Sequence, residues 1–392
     1  MKNKDISVFG GALIVAGTSI GAGMLGLPVL VGLGGFFPAL FILLSAWAFM
    51  TATGLLYAEL CLYYKSEINI LGMSQKTLGK KGGIFAFFIY LFMFYSLLIA
   101  YFAGSGGIIH DSWGLQPNLA ILLFAFVTAF TIYKGKKMVN PVNQLLVAGL
   151  LIAYFGFVTT GFQHFDPQLL AYADWKKSLF TLPVAFTSFG YQGTVPTLAS
   201  WLGYKEQRIH RAIIGGTLIT LFVYVVWLAL ILGIVPIDGE NGFVAAFNQN
   251  KDAIWAIQHF ADNKLFIILG RVFAFCAIST SFLGVGIGLA DFWADGLGVN
   301  QNRSRWNRLK MVILALLPPF IVVQINPSIF LIALATGGGL GAAFLLGLLP
   351  LMMSYKCQKE RSLWVEKKPM LLFLFLFLLF EIFTQFYLLK GG

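Results

Sequence analysis

The sequence predicts an all-helical integral membrane protein of about eleven transmembrane helices, two of them broken at mid-span. Three observations predict it: the composition, a series of apolar stretches each long enough to cross a bilayer, and a Gly/Pro-rich interruption that occurs twice, five spans apart. Of the 392 residues 58% are hydrophobic and 11% are charged, and mean hydropathy is +0.82, whereas a soluble domain carries charge at roughly 25%. A soluble fold has no way to hide so much apolar surface.

A helix needs about 20 apolar residues to cross the hydrocarbon core. Such stretches run near 8–33, 36–63, 84–107, 118–133, 141–161, 178–202, 211–235, 265–293, 309–325, 327–352 and 369–389. The first follows two lysines and so resembles a signal peptide. Its scattered glycines and proline, with ten further spans behind it, argue instead for a membrane helix. Span 2 carries Glu59 near its inner end. Span 3 is aromatic, with Phe88, Phe92, Tyr95 and Tyr101, and span 5, from Pro141 to Gly161, contains no lysine. Span 8 holds the hydroxyl run Ser279, Thr280 and Ser281, together with Arg271 and, at its inner end, Asp291. The loop 236–264 is the longest, and 242–260 within it reads as an amphipathic stretch, either a lid or an ordinary surface helix. Span 10 contains the triplet Gly337–Gly338–Gly339 and span 11 contains Glu381.

The net charge of +11 is spread over alternate loops, a topology signal and not a nucleic-acid footprint. With the N-terminus inside, only Lys176, Lys177, Lys251, Lys264 and Lys390 fall outside and Arg271 within a helix; the other 21 of 27 basic residues are cytoplasmic. The odd span count then places the C-terminus outside. Cys61, Cys276 and Cys357 are too few and scattered for a disulfide framework or a metal site. His110, His164, His210 and His259 fall in or beside loops on different sides. No catalytic cluster emerges, which disfavours a membrane-embedded enzyme, and no charged ring or carbonyl filter argues for a channel.

The two interruptions carry the functional reading. Span 1 contains Gly17-Thr18-Ser19-Ile20-Gly21-Ala22-Gly23-Met24-Leu25-Gly26-Leu27-Pro28, and span 6 contains Phe186-Thr187-Ser188-Phe189-Gly190-Tyr191-Gln192-Gly193-Thr194-Val195-Pro196. Thr-Ser-x-Gly is common to both. Five spans apart, the two cross the membrane in opposite directions, so the repeats are inverted. Glycine and proline weaken the backbone ladder there, and non-helical backbone at that depth persists only where it is buried or lines a cavity. Paired interruptions of this kind point to a secondary transporter's midplane site for a small organic solute. Orphan amides suit a carboxylate and orphan carbonyls an ammonium group or a cation.

The span 1 string, with Thr280-Ser281-Phe282-Leu283-Gly284-Val285 and Asp291-Phe292-Trp293-Ala294-Asp295-Gly296 in span 8, resembles the bacterial hydroxy and aromatic amino acid permeases, the tyrosine and tryptophan permeases of the amino acid-polyamine-organocation superfamily. The resemblance implies a single LeuT-like domain over 1–392: repeat 1 near 8–161, repeat 2 near 178–352 and an extra helix near 369–389. It also implies a cation-coupled importer in the bacterial cytoplasmic membrane. By similarity, amides near Ala22 and Gly23 hold the substrate carboxylate, carbonyls near Ser19, Phe186 and Phe189 hold its amine, and Phe186 covers it. The substrate site is therefore expected along Thr18, Ser19, Ile20, Gly21, Ala22 and Gly23, with Phe186, Thr187, Phe189, Gly190 and Gln192 from span 6 and Tyr95 from span 3. Gln192 is expected to read a phenol or indole polar group.

In sodium-coupled relatives a hydroxyl pair on span 8 completes a sodium site, which here falls on Ser279 and Thr280; Ser281 and Glu59 complete the coupling candidates. Proton and sodium both stay open, with the proton preferred, and no cofactor beyond the coupling ion is expected. The expected partners are the amino acid and the lipid bilayer, and oligomeric state leaves no mark in the sequence. The runner-up substrate class is serine, threonine or another neutral amino acid. Arg271 is expected either to pair with Glu381 or to reach outward.

Overall fold

A computed structural model of the chain describes residues 6–21, 23–64, 69–260, 263–299, 304–360 and 364–391. Among them all regular structure is helical. The first span is the pair α1 (Val8–Ser19) and α2 (Gly23–Gly34), bent by 62° at the break. It is followed by α3 (Phe36–Tyr64), α4 (Ile70–Trp113), α5 (Pro117–Lys134) and α6 (Lys136–Gly161). The sixth span is α7 (Thr181–Ser188) and α8 (Val195–Trp201), which run end to end along α3. Then come α9 (Glu206–Leu232), the short α10 (Phe243–Asn248) and α11 (Ala253–Ile257), α12 (Lys264–Gly296), α13 (Arg305–Ile325), α14 (Phe330–Cys357) and α15 (Trp364–Gly391). Among the described residues nine unbroken helices are long and apolar enough to cross a membrane; the two broken spans complete eleven.

The packing repeats itself as an inverted five-plus-five design requires. Span 1 lies along span 7 and span 6 along span 2; span 5 lies along span 8 and span 10 along span 3. Lipid is as apolar as leucine, so close backbone approach and not hydrophobic burial brings these helices together. The α1–α9 contact is made by small residues: a Cβ on Gly11 would meet Ala212 at 3.1 Å, and one on Gly216 would meet the Ala12 carbonyl oxygen at 2.5 Å.

Two boundaries differ from the hydropathy reading. Span 3 was expected at 84–107, but α4 begins at Ile70, because the Asn69 side chain accepts from Gly72 N at 2.9 Å and caps a helix that charge hid from an apolar window. Gly79, at φ +79°, bends the chain inside it. The stretch expected as one amphipathic helix over 242–260 is two short helices, divided at Asn250 (φ +53°) and restarted by the Asp252 cap. Both pack against α2. Lys2, Lys4, Lys65, Arg303 and Arg361, counted among the cytoplasmic charges, lie outside the described residues.

Candidate functional site

α1 ends at Ser19, Ile20 turns extended (ψ 104°), and α2 restarts at Gly23. α7 ends at Ser188, and Phe189 and Gly190 lead through a 3-10 turn, Gln192–Thr194, into α8. The structure brings these two breaks together. A Cβ on Gly23 would collide with the Ser188 side chain, and one on Gly21 with the Ser281 hydroxyl of α12. Tyr101 of α4 lies beside the Ser281 hydroxyl. Tyr224 of α9, fully buried, donates to both orphan helix-end carbonyls, Ser19 O at 2.9 Å and Ser188 O at 3.2 Å. A single hydroxyl proton shared by two carbonyls leaves acceptor capacity at two negative helix ends, the arrangement that suits an ammonium group. Gly23, at the amide end of α2, supplies the opposite sign within the same cluster. Ala22 lies outside the described residues.

Proline chemistry explains how the break is held. Pro28 lacks the N–H that would bond the Met24 carbonyl. Met24 O instead accepts the Trp227 indole N–H at 2.7 Å, so α9 supplies from outside what α2 lost. The same logic relocates Tyr95. Pro318 of α13 leaves the Leu314 carbonyl without its amide, and the Tyr95 hydroxyl donates to it at 2.7 Å while accepting from Trp293 Nε1 at 3.0 Å. The phenol expected in the substrate site thus faces α12 and α13. Tyr101, almost two turns further along α4, reaches the break.

Gln192 is likewise turned away. Its Oε1 accepts from Tyr191 N at 3.0 Å and its Nε2 donates to Met50 O at 3.1 Å, tethering the span 6 turn to α3. Phe186 is fully buried against Phe49 of α3 and Phe377 of α15, at ring distances of 4.9 and 6.1 Å. Phe189 stands edge-on to Tyr224, 5.6 Å away, and is the span 6 aromatic beside the carbonyls. Thr187 packs on Gly338 of α14, 2.8 Å from where a Cβ would sit, and Thr18 is exposed and bonded back to Ile14 O at 2.7 Å.

Among the ion-coupling candidates, the Thr280 hydroxyl is spent on its own helix, donating to Ala277 O at 3.0 Å. Ser279 is buried with no hydrogen-bond partner among the described residues. Glu59 is half-buried in the last two turns of α3 and has a partner. Arg271 does not pair with Glu381: its guanidinium reaches past the start of α12 and donates to Gln258 Oε1 at 2.7 Å, joining α12 to the end of α11.

The two sides of the breaks differ in access. Every residue of α2 is buried, as is every residue of α7 but Thr187, beneath α10 and α11. On the other side Gly17, Gly193 and Gly284, from α1, the turn before α8 and α12, are exposed with open space where a side chain would be.

Two inverted repeats whose mid-span breaks meet at helix ends sharing one hydroxyl donor define a secondary transporter. The chain belongs to the tryptophan/tyrosine permease family, whose profile matches residues 4–385. It is 31% identical to the tryptophan-specific transport protein of Pseudomonas aeruginosa, over 90% of this chain and 87% of that one. It is 29% identical to tyrosine-specific transport system 1 of Haemophilus influenzae, over 92% and 90%. The crystal structure of MhsT in complex with L-phenylalanine superposes with a TM-score of 0.64 at 17% identity, covering 95% of this chain and 99% of that chain. That likeness establishes the LeuT-like fold.

Proposed function

We propose that the protein imports aromatic amino acids, tryptophan or tyrosine with phenylalanine as a third candidate, by proton symport across a bacterial cytoplasmic membrane, through alternating access. The observation that carries this reading is the convergence of the Ser19 and Ser188 carbonyls on Tyr224 beside the amide end of α2 at Gly23. A zwitterion satisfies both kinds of helix end at once. The names of the relatives support an aromatic side chain, and Phe189, Tyr101 and Tyr224 supply aromatic surface around the carbonyls. The ammonium group of the substrate takes the carbonyl ends and frees Tyr224 from one of them; the carboxylate takes the amide end.

The sealed side, under α10 and α11, is the outer one when the N-terminus is cytoplasmic, so this conformation is the inward-open one. Release to the cytoplasm passes between α1, α8 and α12. The completely buried Glu381 carboxyl, with one oxygen unpartnered among the described residues, supports proton coupling. The test is uptake of labelled tryptophan and tyrosine into proteoliposomes, with proton and sodium gradients imposed separately. Accumulation of either under the proton gradient alone supports the reading. Uptake of serine or threonine in place of both overturns the substrate assignment.

A further inference from the structure

The eleventh span lies outside the inverted repeat, yet its one carboxylate is placed at the moving parts. Glu381 is completely buried, and Thr384 and Gln385 on the same face are 3% exposed each. The opposite face, with Phe380, Phe383 and Phe386, is exposed as a lipid-facing surface is. Glu381 Oε1 accepts from Gln385 Nε2, while Oε2 has no hydrogen-bond partner among the described residues. Gln385 occupies the space a side chain on Gly339 would fill, and Pro183 of α7 lies 2.7 Å from that same point. Gly339 ends a π-helical stretch of α14, Ala333–Gly339, a geometry that is rare and found frequently at functional sites. One turn before Glu381 on the same face, Phe377 stacks on Phe186 of α7 with a 17° interplanar angle.

The carboxyl is therefore in register with α7, the half-helix that ends at the Ser188 carbonyl. A bare carboxylate oxygen in a medium without water is far costlier as an ion than as a neutral acid. Among the described residues no cation pairs with it. The facing stretches 181–188 of α7 and 333–349 of α14 contain no titratable or charged side chain, and on α3 the contact is through Phe49, two turns from the nearest such groups, Tyr57 and Glu59. On α15 itself Tyr387 is exposed. Glu59 and Asp291, the other membrane carboxylates, each have partners near helix ends.

We propose that Glu381 is the proton-binding site of the transport cycle: Oε2 carries the proton in the conformation described here, and release of that proton leaves a carboxylate that draws water in beside Gln385, displacing α15 from Gly339 and Pro183 and so releasing α7. The proton is taken up from one aqueous side and delivered to the other, with no other group changed. This assignment rests on the symporter reading above and adds to it the residue that couples.

Two measurements on the full-length protein test it. The first is infrared difference spectroscopy of the purified protein in lipid, which needs no substrate. Wild type is expected to show the C=O band of a membrane-buried carboxylic acid that Glu381→Gln removes; a wild-type spectrum in which the substitution removes no such band overturns the proposal. The second compares Glu381→Gln with wild type in proteoliposomes. A pH gradient of about one unit holds about a tenfold substrate ratio per coupled proton. Wild type is expected to approach that ratio, the Gln variant to exchange substrate across the membrane but to accumulate none, and Glu381→Asp to recover accumulation. A Gln variant that accumulates substrate as wild type does, or a wild type driven by sodium alone, overturns the proposal and leaves the permease reading intact. A wild type that carries neither tryptophan nor tyrosine overturns the substrate reading, and the infrared band then decides Glu381 separately.

Discussion

Two prolines in this bundle each free a carbonyl four residues earlier, and in both cases an aromatic donor from a distant span takes it: Trp227 for Met24 and Tyr95 for Leu314. Leaving such a buried carbonyl unpaired costs about 1–3 kcal/mol. Trp227→Phe and Tyr95→Phe are therefore expected to lower the melting temperature in detergent, and Tyr95→Phe to leave the substrate KM nearly unchanged. A large KM effect from Tyr95→Phe with unaltered stability would return Tyr95 to the substrate site. Tyr224→Phe should act the other way. It removes the hydroxyl that holds Ser19 O and Ser188 O in register, so apparent affinity should fall by up to about tenfold, the weight of one lost hydrogen bond between neutral groups. A binding titration that finds wild-type affinity in Tyr224→Phe removes the carbonyl pair from the site.

At the scale of elements, α14 acts as a socket for three other helices. Its successive glycines receive Ser96 of α4, Thr187 of α7 and Gln385 of α15. Gly338→Val fills the Thr187 position with a branched side chain and is expected to abolish transport while the folded protein still elutes as a single species. Full activity in that variant would mean that α7 does not close against α14. The α10–α11 pair carries its own titration. Burial pushes the Asp252 carboxyl up from 3.8 to about 6; the Trp255 amide opposes that shift and nearby Asp111 adds to it. A raised value means the packed pair binds the proton more tightly than the unfolded chain does. Its stabilisation is full below about pH 4 and is lost as pH rises through about 6. Asp252→Asn should flatten the melting temperature between those limits, and a slope identical to wild type would show that another group titrates there.

Across the whole molecule, burial is asymmetric: α2 and α7 are enclosed, while Gly17, Gly193 and Gly284 of the α1–α8–α12 side are exposed. All three native cysteines are buried, which gives a quiet background for labelling. Thr197→Cys on the exposed face of α8 should react rapidly with a membrane-impermeant maleimide added to inside-out vesicles, and Leu30→Cys in α2 should not. Rapid labelling of Leu30→Cys from the external face alone would show that α10 and α11 do not seal the outer side in the bilayer.

Span count, the two breaks and the inverted relation between them were legible in the chain because they depend on local properties: runs of apolar residues about 20 long, and glycines and prolines where a helix cannot continue. Family membership was legible in the string from Gly17 to Pro28, taken with Thr280–Val285 and Asp291–Gly296, for the same reason: each is a local pattern of residues. The prolines even announced which carbonyls would be freed. Their partners were hidden. Trp227, Tyr224 and Tyr101 reach the breaks, and Tyr95 and Gln192 turn elsewhere, because the rotation of each helix about its own axis decides where a side chain points. That rotation follows from contacts between residues some 200 positions apart, Tyr224 with Ser19 and Tyr95 with Leu314 among them. Only tertiary packing could choose among several aromatics spaced along one apolar helix.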